Sequence, residues 1–537
     1  MCHCAARGEI LKNSFIYTIL LLLILAAALM LRIPGLDKKP MHGDEANQAV
    51  RAGMLMDSGI YHYDPHDHHG PVMYFASMPF CHATAERFAD TTEWNFRLVT
   101  VLFSILTLLL MAGLGARASS GGLFCNRSGL LFALLFTAIS PALTYYSRFF
   151  IQESMLVCFL TGMFASGYGY VHAREKKKAL IKPAVMAALF GVFAGLCVAT
   201  KETAVLSFAA MFLASLTVFG FRRFKHLWST RDLLIAAVSA AFVATLFFSS
   251  FFTYPQGVAD ALFATVKAYF FRATGVPEHQ HPWNYYLKII FWFKYGRGPV
   301  WSEASVLIPA SIALIVSWIT FFKRGAECSA HNVFVRFMIV YTLILTVIYC
   351  AIPYKTPWCA LSFLHGYILL AGVGIGYAVD FLVTKTVKPL RFIGVLTLLI
   401  FTAWFGYCHT MQNIRACGKM AADPRNPYVY AHTGRDAMEL VAGIEKAAAE
   451  AQGYDTFIAI AVPTPDTWPL PWYLRKYRNV GYWTHVSQIP EDMKPVIVVA
   501  AADQGDIADE RFGKGMQCNF YGIRPGTLLN LFVPETE

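Results

Sequence analysis

The sequence predicts a polytopic α-helical membrane protein with a small extracytoplasmic α/β domain at its carboxyl end. Three observations predict it. Of the 537 residues, 56% are hydrophobic and only 15% charged, with a mean hydropathy of +0.46, a composition unlike that of an ordinary soluble enzyme. The apolar residues gather in eleven stretches, near 13–33, 98–117, 129–147, 154–172, 183–200, 203–220, 232–252, 304–322, 336–352, 360–381 and 392–409. A helix crossing the hydrocarbon needs roughly 20 mostly apolar residues, because its backbone amides must be satisfied within the span. Finally, the basic residues fall in alternate connections.

The first stretch continues through a leucine/alanine run without a small-residue cleavage site, so it reads as a retained span and not a signal peptide. Arg7 and Lys12 precede it. Arg117 and Arg127, Arg174 with Lys176, Lys177 and Lys178, then Arg222, Arg223, Lys225 and Arg231, then Lys323 and Arg324, and last Lys385, Lys388 and Arg391 occupy every second connection. Basic connections stay cytoplasmic. The amino terminus is therefore expected inside and the carboxyl-terminal region outside a plasma (inner) membrane. This distribution accounts for the net charge of +11 with no nucleic-acid partner. The twelve cysteines show no metal-ligand spacing beyond Cys2-His3-Cys4, and most sit among apolar residues as small core side chains do.

Residues 1–410 are expected to form the membrane domain and 411–537 the outside domain. The latter carries Asp423-Pro-Arg-Asn-Pro427, a helical pattern around 434–451, a strand-like Phe457–Val462 and the run Lys494–Ala501. A structural cap and an acceptor-binding surface both fit it.

The alternating topology collects the 34–97 loop, the Arg148–Glu153 turn, Lys201-Glu202, the 254–303 loop, Pro353–Trp358 and everything after about 410 on one side. His42-Gly43-Asp44-Glu45-Ala46 follows the first span. Adjacent carboxylates at a membrane interface are costly unless hydrated, paired or metal-bound. Asp44 and Glu45 are the candidate catalytic pair, since a carboxylate there can take the proton of an attacking hydroxyl. Capping of a helix start is the other reading. His42, Arg148, Lys201 and Lys355 are candidate substrate ligands.

In Tyr61-His-Tyr-Asp-Pro-His-Asp-His-His-Gly-Pro71, histidines and carboxylates can hold a divalent cation or phosphate, although the spacing fits no zinc template. A substrate-shaping loop and a solvated turn fit it too. Glu153 with His68 and His69 is the candidate metal set. Arg148 offers a planar donor fork to an anionic oxygen, and Lys201-Glu202 repeats the pairing of a cation with a carboxylate at another span end. Structural salt bridges are the alternative in both places. Most aromatics of the 254–303 loop read as interface anchors, and Lys355 reads as a phosphate ligand or a snorkelling lysine.

Together these residues suit sugar transfer from a polyprenyl-phosphate-linked donor, with no nucleotide cofactor. A protein, a glycan or another lipid would accept. A transporter or assembly factor for lipid-linked glycans is the alternative, but a transporter needs polar groups along its path, and the span interiors are largely apolar.

The arrangement of first span and long outer loop, Asp44-Glu45, the Tyr-Ser-Arg-Phe-Phe-Ile-Gln-Glu153 segment and Lys201-Glu202 resemble the membrane glycosyltransferases of the C-type fold. The similarity points to the branch of protein O-mannosyltransferases and the lipid A aminoarabinose transferase. His42-Gly-Asp-Glu-Ala with the histidine-rich loop is more similar still to a prokaryotic family labelled "flippase-activity-associated", linked to archaeal surface glycosylation. The resemblance spans roughly residues 10–410. It implies an inverting transferase with Asp44 as base and Arg148, Lys201 or Lys355 at the donor phosphate. Glu153 stands where aspartate is common, and the 61–71 histidines and the carboxyl-terminal domain depart from the better-known branches.

Overall fold

The computed structural model describes residues 2–64, 69–116, 124, 126–175, 181–263, 279–322 and 330–535. In chain order its helices are α1 (Cys2–Arg32), α2 (Gly43–Ser58), α3 (Val72–His82), α4 (Glu93–Ala116), α5 (Arg127–Ile139), α6 (Pro141–Ser147), α7 (Glu153–Glu175) and α8 (Pro183–Val198). They continue with α9 (Ala204–Leu227), α10 (Thr230–Phe248), α11 (Tyr285–Phe291), α12 (Leu307–Phe322), α13 (Ala330–Ala351), α14 (Leu361–Lys385) and α15 (Lys388–Cys417).

Each apolar stretch lies in helix, and the expected eleven spans are matched in part. Among the described residues, eight helices are long and apolar enough to cross a membrane, and nine if the bent pair α5 and α6 is one span. The segments Pro183–Val198 and Ala304–Thr320 are apolar but shorter. The chain is a multi-pass membrane protein.

The α5–α6 break has a local cause. Pro141 has no N–H to continue the ladder and sits at the start of a new helix, where none is needed. Ser140 caps that helix, its Oγ accepting from the Leu143 N–H at 3.3 Å, and the axis bends by 54°. Glu303 reaches the break from the segment before α12. It accepts from Ser140 Oγ at 2.6 Å, from the Ala142 N–H at 2.9 Å and from the Tyr428 hydroxyl at 3.1 Å. Burial pushes its pKa up against those three donors.

Beyond α15 lies a five-stranded sheet with α16 (Asp436–Glu450), α17 (Leu470–Tyr473) and α18 (Gly505–Phe512). The strands are β1 (Ile458–Ala461), β2 (Val480–Trp483), β3 (Ile497–Ala501), β4 (Met516–Arg524) and β5 (Thr527–Pro534), in the order β2-β1-β3-β5-β4. Strand β1 lies parallel to β2 and β3, whereas β5 runs antiparallel to β3 and β4. Alternation decides the two faces: Ile458 and Ile460 meet Leu440 and Ile444 of α16, while Ala459 and Ala461 share a cluster with Ala508 of α18. The tight β4–β5 connection uses Pro525-Gly526, with Gly526 at φ 84°, a conformation that glycine takes without steric cost.

Candidate active site

His42 ends the extended loop after α1 and caps α2. Its Nδ1 accepts from the Asp44 N–H at 3.0 Å, and its own N–H donates to Glu45 Oε2 at 3.1 Å, a reciprocal capping box. The helix start expected at the motif is therefore observed, with His42 as its cap, where Asp44 or Glu45 was expected, and Glu45 completing the box. Nδ1 carries no proton while it accepts, and Nε2–H donates to the Tyr430 carbonyl at 2.9 Å. These two bonds define a neutral imidazole in a single tautomer.

The two carboxylates go to different environments, because neighbouring residues point about 100° apart around a helix. Glu45 turns inward and is fully buried. Its Oε1 and Oε2 accept from Arg97 Nε and Nη2, both at 2.8 Å, and Oε1 also accepts from the Phe150 N–H at 2.9 Å. Burial alone would raise its pKa; Arg97 and then Lys39 outweigh burial and hold it at about 2. Asp44 turns outward with 53% of its side chain exposed, 3.9 Å from His42 Nδ1. With that imidazole neutral, the approach is no ion pair.

Asp44, Asn47, Gln48 and Arg51 share one face of α2 by their spacing. Gln48 Oε1 accepts from the Tyr74 hydroxyl and from Gln152 Nε2, the latter at 2.9 Å. This joins α2 to the turn before α7, where Glu153 forms a buried ion pair with Lys201. Burial would lower the Lys201 pKa, but the Glu153 carboxylate raises it above the ordinary lysine range. Glu202 Oε2 lies 3.3 Å from His69 Nδ1, and His69 pairs its backbone with Lys201. His66, Asp67 and His68 lie outside the described residues.

Arg148 and Lys355 have donors engaged elsewhere. Arg148 Nη1 donates to the Arg32 carbonyl at 2.7 Å and Nη2 to the Pro34 carbonyl at 2.7 Å, with longer bonds to Leu31 and Gly35. Its fork thus closes the carboxyl end of α1. Lys355 Nζ donates to the Ile352 carbonyl and to the His281 carbonyl, the second at 3.2 Å. Trp358 from the same turn packs 5.9 Å from His42 and 5.9 Å from Tyr430, ring centre to ring centre. Sequence reasoning missed Arg97, Gln48, Gln152, Tyr430 and His432. An arginine near the start of an apolar span was a legible signal for the first; the others carry none.

The fold has relatives among solved structures. ArnT from Cupriavidus metallidurans bound to undecaprenyl phosphate is similar with a TM-score of 0.63, at 13% identity over 95% of this chain and 97% of that one. The archaeal oligosaccharyltransferase AglB from Archaeoglobus fulgidus, in complex with an inhibitory peptide and a dolichol-phosphate, gives 0.53, at 11% identity over 98% and 75%. The chain has the C-type membrane glycosyltransferase fold. No family model matches the sequence, and neither does any curated protein.

A third similar structure, an Archaeoglobus fulgidus oligosaccharyltransferase in complex with Zn and sulfate, gives a TM-score of 0.52 at 11% identity over 94% of this chain and 72% of that one. Of the expected metal set, His68 lies outside the described residues, and Glu153 and His69 are the two members described. No three His, Cys, Asp or Glu side chains converge among the described residues, and Glu153 and His69 each face a different partner, Lys201 and Glu202.

Proposed function

We propose that the chain is an inverting glycosyltransferase that moves a sugar from a polyprenyl-phosphate-linked donor to an extracytoplasmic hydroxyl. The membrane part, to about residue 410, carries out transfer, and the region after it closes the reacting end. The observation that carries this reading is the split between two adjacent carboxylates. Glu45 is locked to Arg97, whereas Asp44 is exposed beside a neutral histidine. That is the arrangement a general base requires, since it must remain free to meet a substrate proton.

The acceptor oxygen attacks the anomeric carbon as the bond from that carbon to the phosphate oxygen breaks. Its proton goes to the Asp44 carboxylate, and the electron pair leaves on the polyprenyl phosphate. A single displacement of this kind inverts the anomeric centre. Undecaprenyl phosphate and a dolichol-phosphate in the similar structures support a polyprenyl-phosphate donor. Lys201 is the preferred phosphate ligand: its ammonium has three donors, and one engages Glu153. Charge building on the leaving phosphate is stabilised by a cation already in place. Arg148 and Lys355 act by shaping the backbone around the site, and His42 by fixing the turn that presents Asp44. Membrane lipids are the donor's surroundings, and a protein, glycan or lipid supplies the hydroxyl.

The test uses the full chain in lipid nanodiscs with isotope-labelled polyprenyl-phosphate sugars and an envelope extract. Transfer detected by mass spectrometry, with an inverted anomeric configuration by NMR, supports the reading. Retention of configuration overturns the single displacement. Absence of transfer from a bound donor with a competent acceptor pool overturns the enzyme and favours lipid handling or assembly.

A further inference from the structure

Met41 and His42, the two residues before α2, are held by the carboxyl-terminal region at three points. The Met41 N–H donates to the Tyr473 hydroxyl at 2.8 Å, and its carbonyl accepts from Thr433 Oγ1 at 2.6 Å. The His42 ring donates to the Tyr430 carbonyl at 2.9 Å. Both hydrogen-bonding groups of one peptide residue are thus fixed by side chains from across the molecule. Gly43 continues the contact: a Cβ placed there would meet Arg524 Nη1 and Trp468 Cβ, each at 3.4 Å.

Tyr473 itself is anchored on the membrane part. In α17, Trp472 Nε1 donates to Glu93 Oε1 at 3.1 Å, and the indole meets Phe96 edge-on and Phe88 at a tilt. The guanidinium of Arg475 lies over the Trp472 ring, 3.6 Å from its centre, and reaches the Thr91 carbonyl. Thr433 follows His432, whose Nε2 lies 2.8 Å from the Tyr145 hydroxyl. Each holding group therefore stands beside a residue tied to the bundle.

We infer that Thr433 and Tyr473 are positioning residues, through which the carboxyl-terminal region sets the place of Asp44 for transfer. The inference rests on Asp44 as the base. It gives the region a part in catalysis distinct from covering the site or recognising the acceptor. A hydroxyl removed from either residue frees one side of the Met41 peptide, and Asp44, three residues on, moves with the helix start. Misplacement by about 1 Å costs on the order of 100-fold in rate.

The experiment compares Thr433→Val, Tyr473→Phe and the conservative Thr433→Ser with wild type in nanodiscs. It reads amide hydrogen exchange across residues 36–46, donor affinity and transfer kinetics. Faster exchange in that segment is expected for Thr433→Val and Tyr473→Phe. With it come a kcat lower by about 10- to 100-fold, an unchanged donor Kd and a displaced acid limb of the pH–rate profile. Thr433→Ser is expected to restore both exchange and kcat toward wild type. Unchanged exchange overturns the clamp. Faster exchange with unchanged kcat overturns its catalytic part and leaves a structural contact. A wild type that binds donor but never transfers sinks the transferase reading itself, an outcome separate from either.

Discussion

Glu45 and Arg97 meet through two parallel hydrogen bonds of 2.8 Å with both side chains closed to solvent. The remaining donors of Arg97 go to the carbonyls of Leu36, Lys39 and Pro40, so the pair pins the whole loop leading to Asp44. Removing one partner of a buried pair leaves a charge without compensation, at about 3–5 kcal/mol. Glu45→Gln is expected to lower the unfolding temperature markedly. Asp44→Asn, at an exposed position, should change stability by less than about 0.5 kcal/mol. Thermal unfolding of the two variants in one detergent checks the contrast.

Acid should weaken the same pair. The Glu45 carboxyl is held at about 2 in the folded chain, against about 4.3 when free. The unfolded chain binds the proton first on acidification, so the contribution is complete above about pH 4.5 and disappears as pH falls toward 2. Arg97→Met with Glu45→Gln together should flatten that part of the stability curve. An equal slope in wild type and double variant would show that other carboxylates govern it.

His432 gives a second pH dependence in a higher range. Burial, then the Lys39 charge beside it, push its pKa well below the ordinary histidine value. The unfolded chain takes up a proton near pH 6.5 that the folded chain refuses. Stability from this residue is therefore present at pH 7.5 and declines below 6.5 by up to about 1.4 kcal/mol per pH unit. His432→Asn should remove that slope in unfolding measurements between pH 7.5 and 5.

Lys201 and Glu153 separate stability from binding. Lys201→Met strands a buried carboxylate and should both destabilise the chain and reduce donor binding by at least about 10-fold, one charge-assisted contact being worth about 1.5–3 kcal/mol. Lys201→Met with Glu153→Gln should regain most of the stability, as apolar or neutral replacements of buried pairs often do, while donor binding stays weak. Recovery of donor binding in the double variant would exclude Lys201 as the phosphate ligand. Microscale binding of a labelled polyprenyl phosphate alongside thermal unfolding reads both quantities.

The helices were legible because apolar runs of span length have one viable backbone in a membrane. A helix start at the motif was legible too, but with Asp44 or Glu45 expected as its cap, where His42 takes that place. Which carboxylate turns inward was not, for Arg97 lies 52 positions from Glu45 and nothing local distinguishes the two. Arg148 reads from sequence as a ligand for an anionic oxygen or half of a salt bridge; its acceptors are carbonyls at the end of α1, 116 positions away for Arg32. The hold on Met41 spans 432 positions to Tyr473. The short α8 and the α5–α6 break show the opposite limit: apolar length predicted both as spans, while Pro141 carried the break in a single residue.

The most direct test of the account is the transfer rate of Asp44→Asn beside wild type, in nanodiscs, after unfolding temperature and donor affinity have been matched. A loss of about 100-fold or more, in the range expected for a missing general base, with fold and donor binding intact is the predicted result. A folded, donor-binding Asp44→Asn that transfers at the wild-type rate would contradict it.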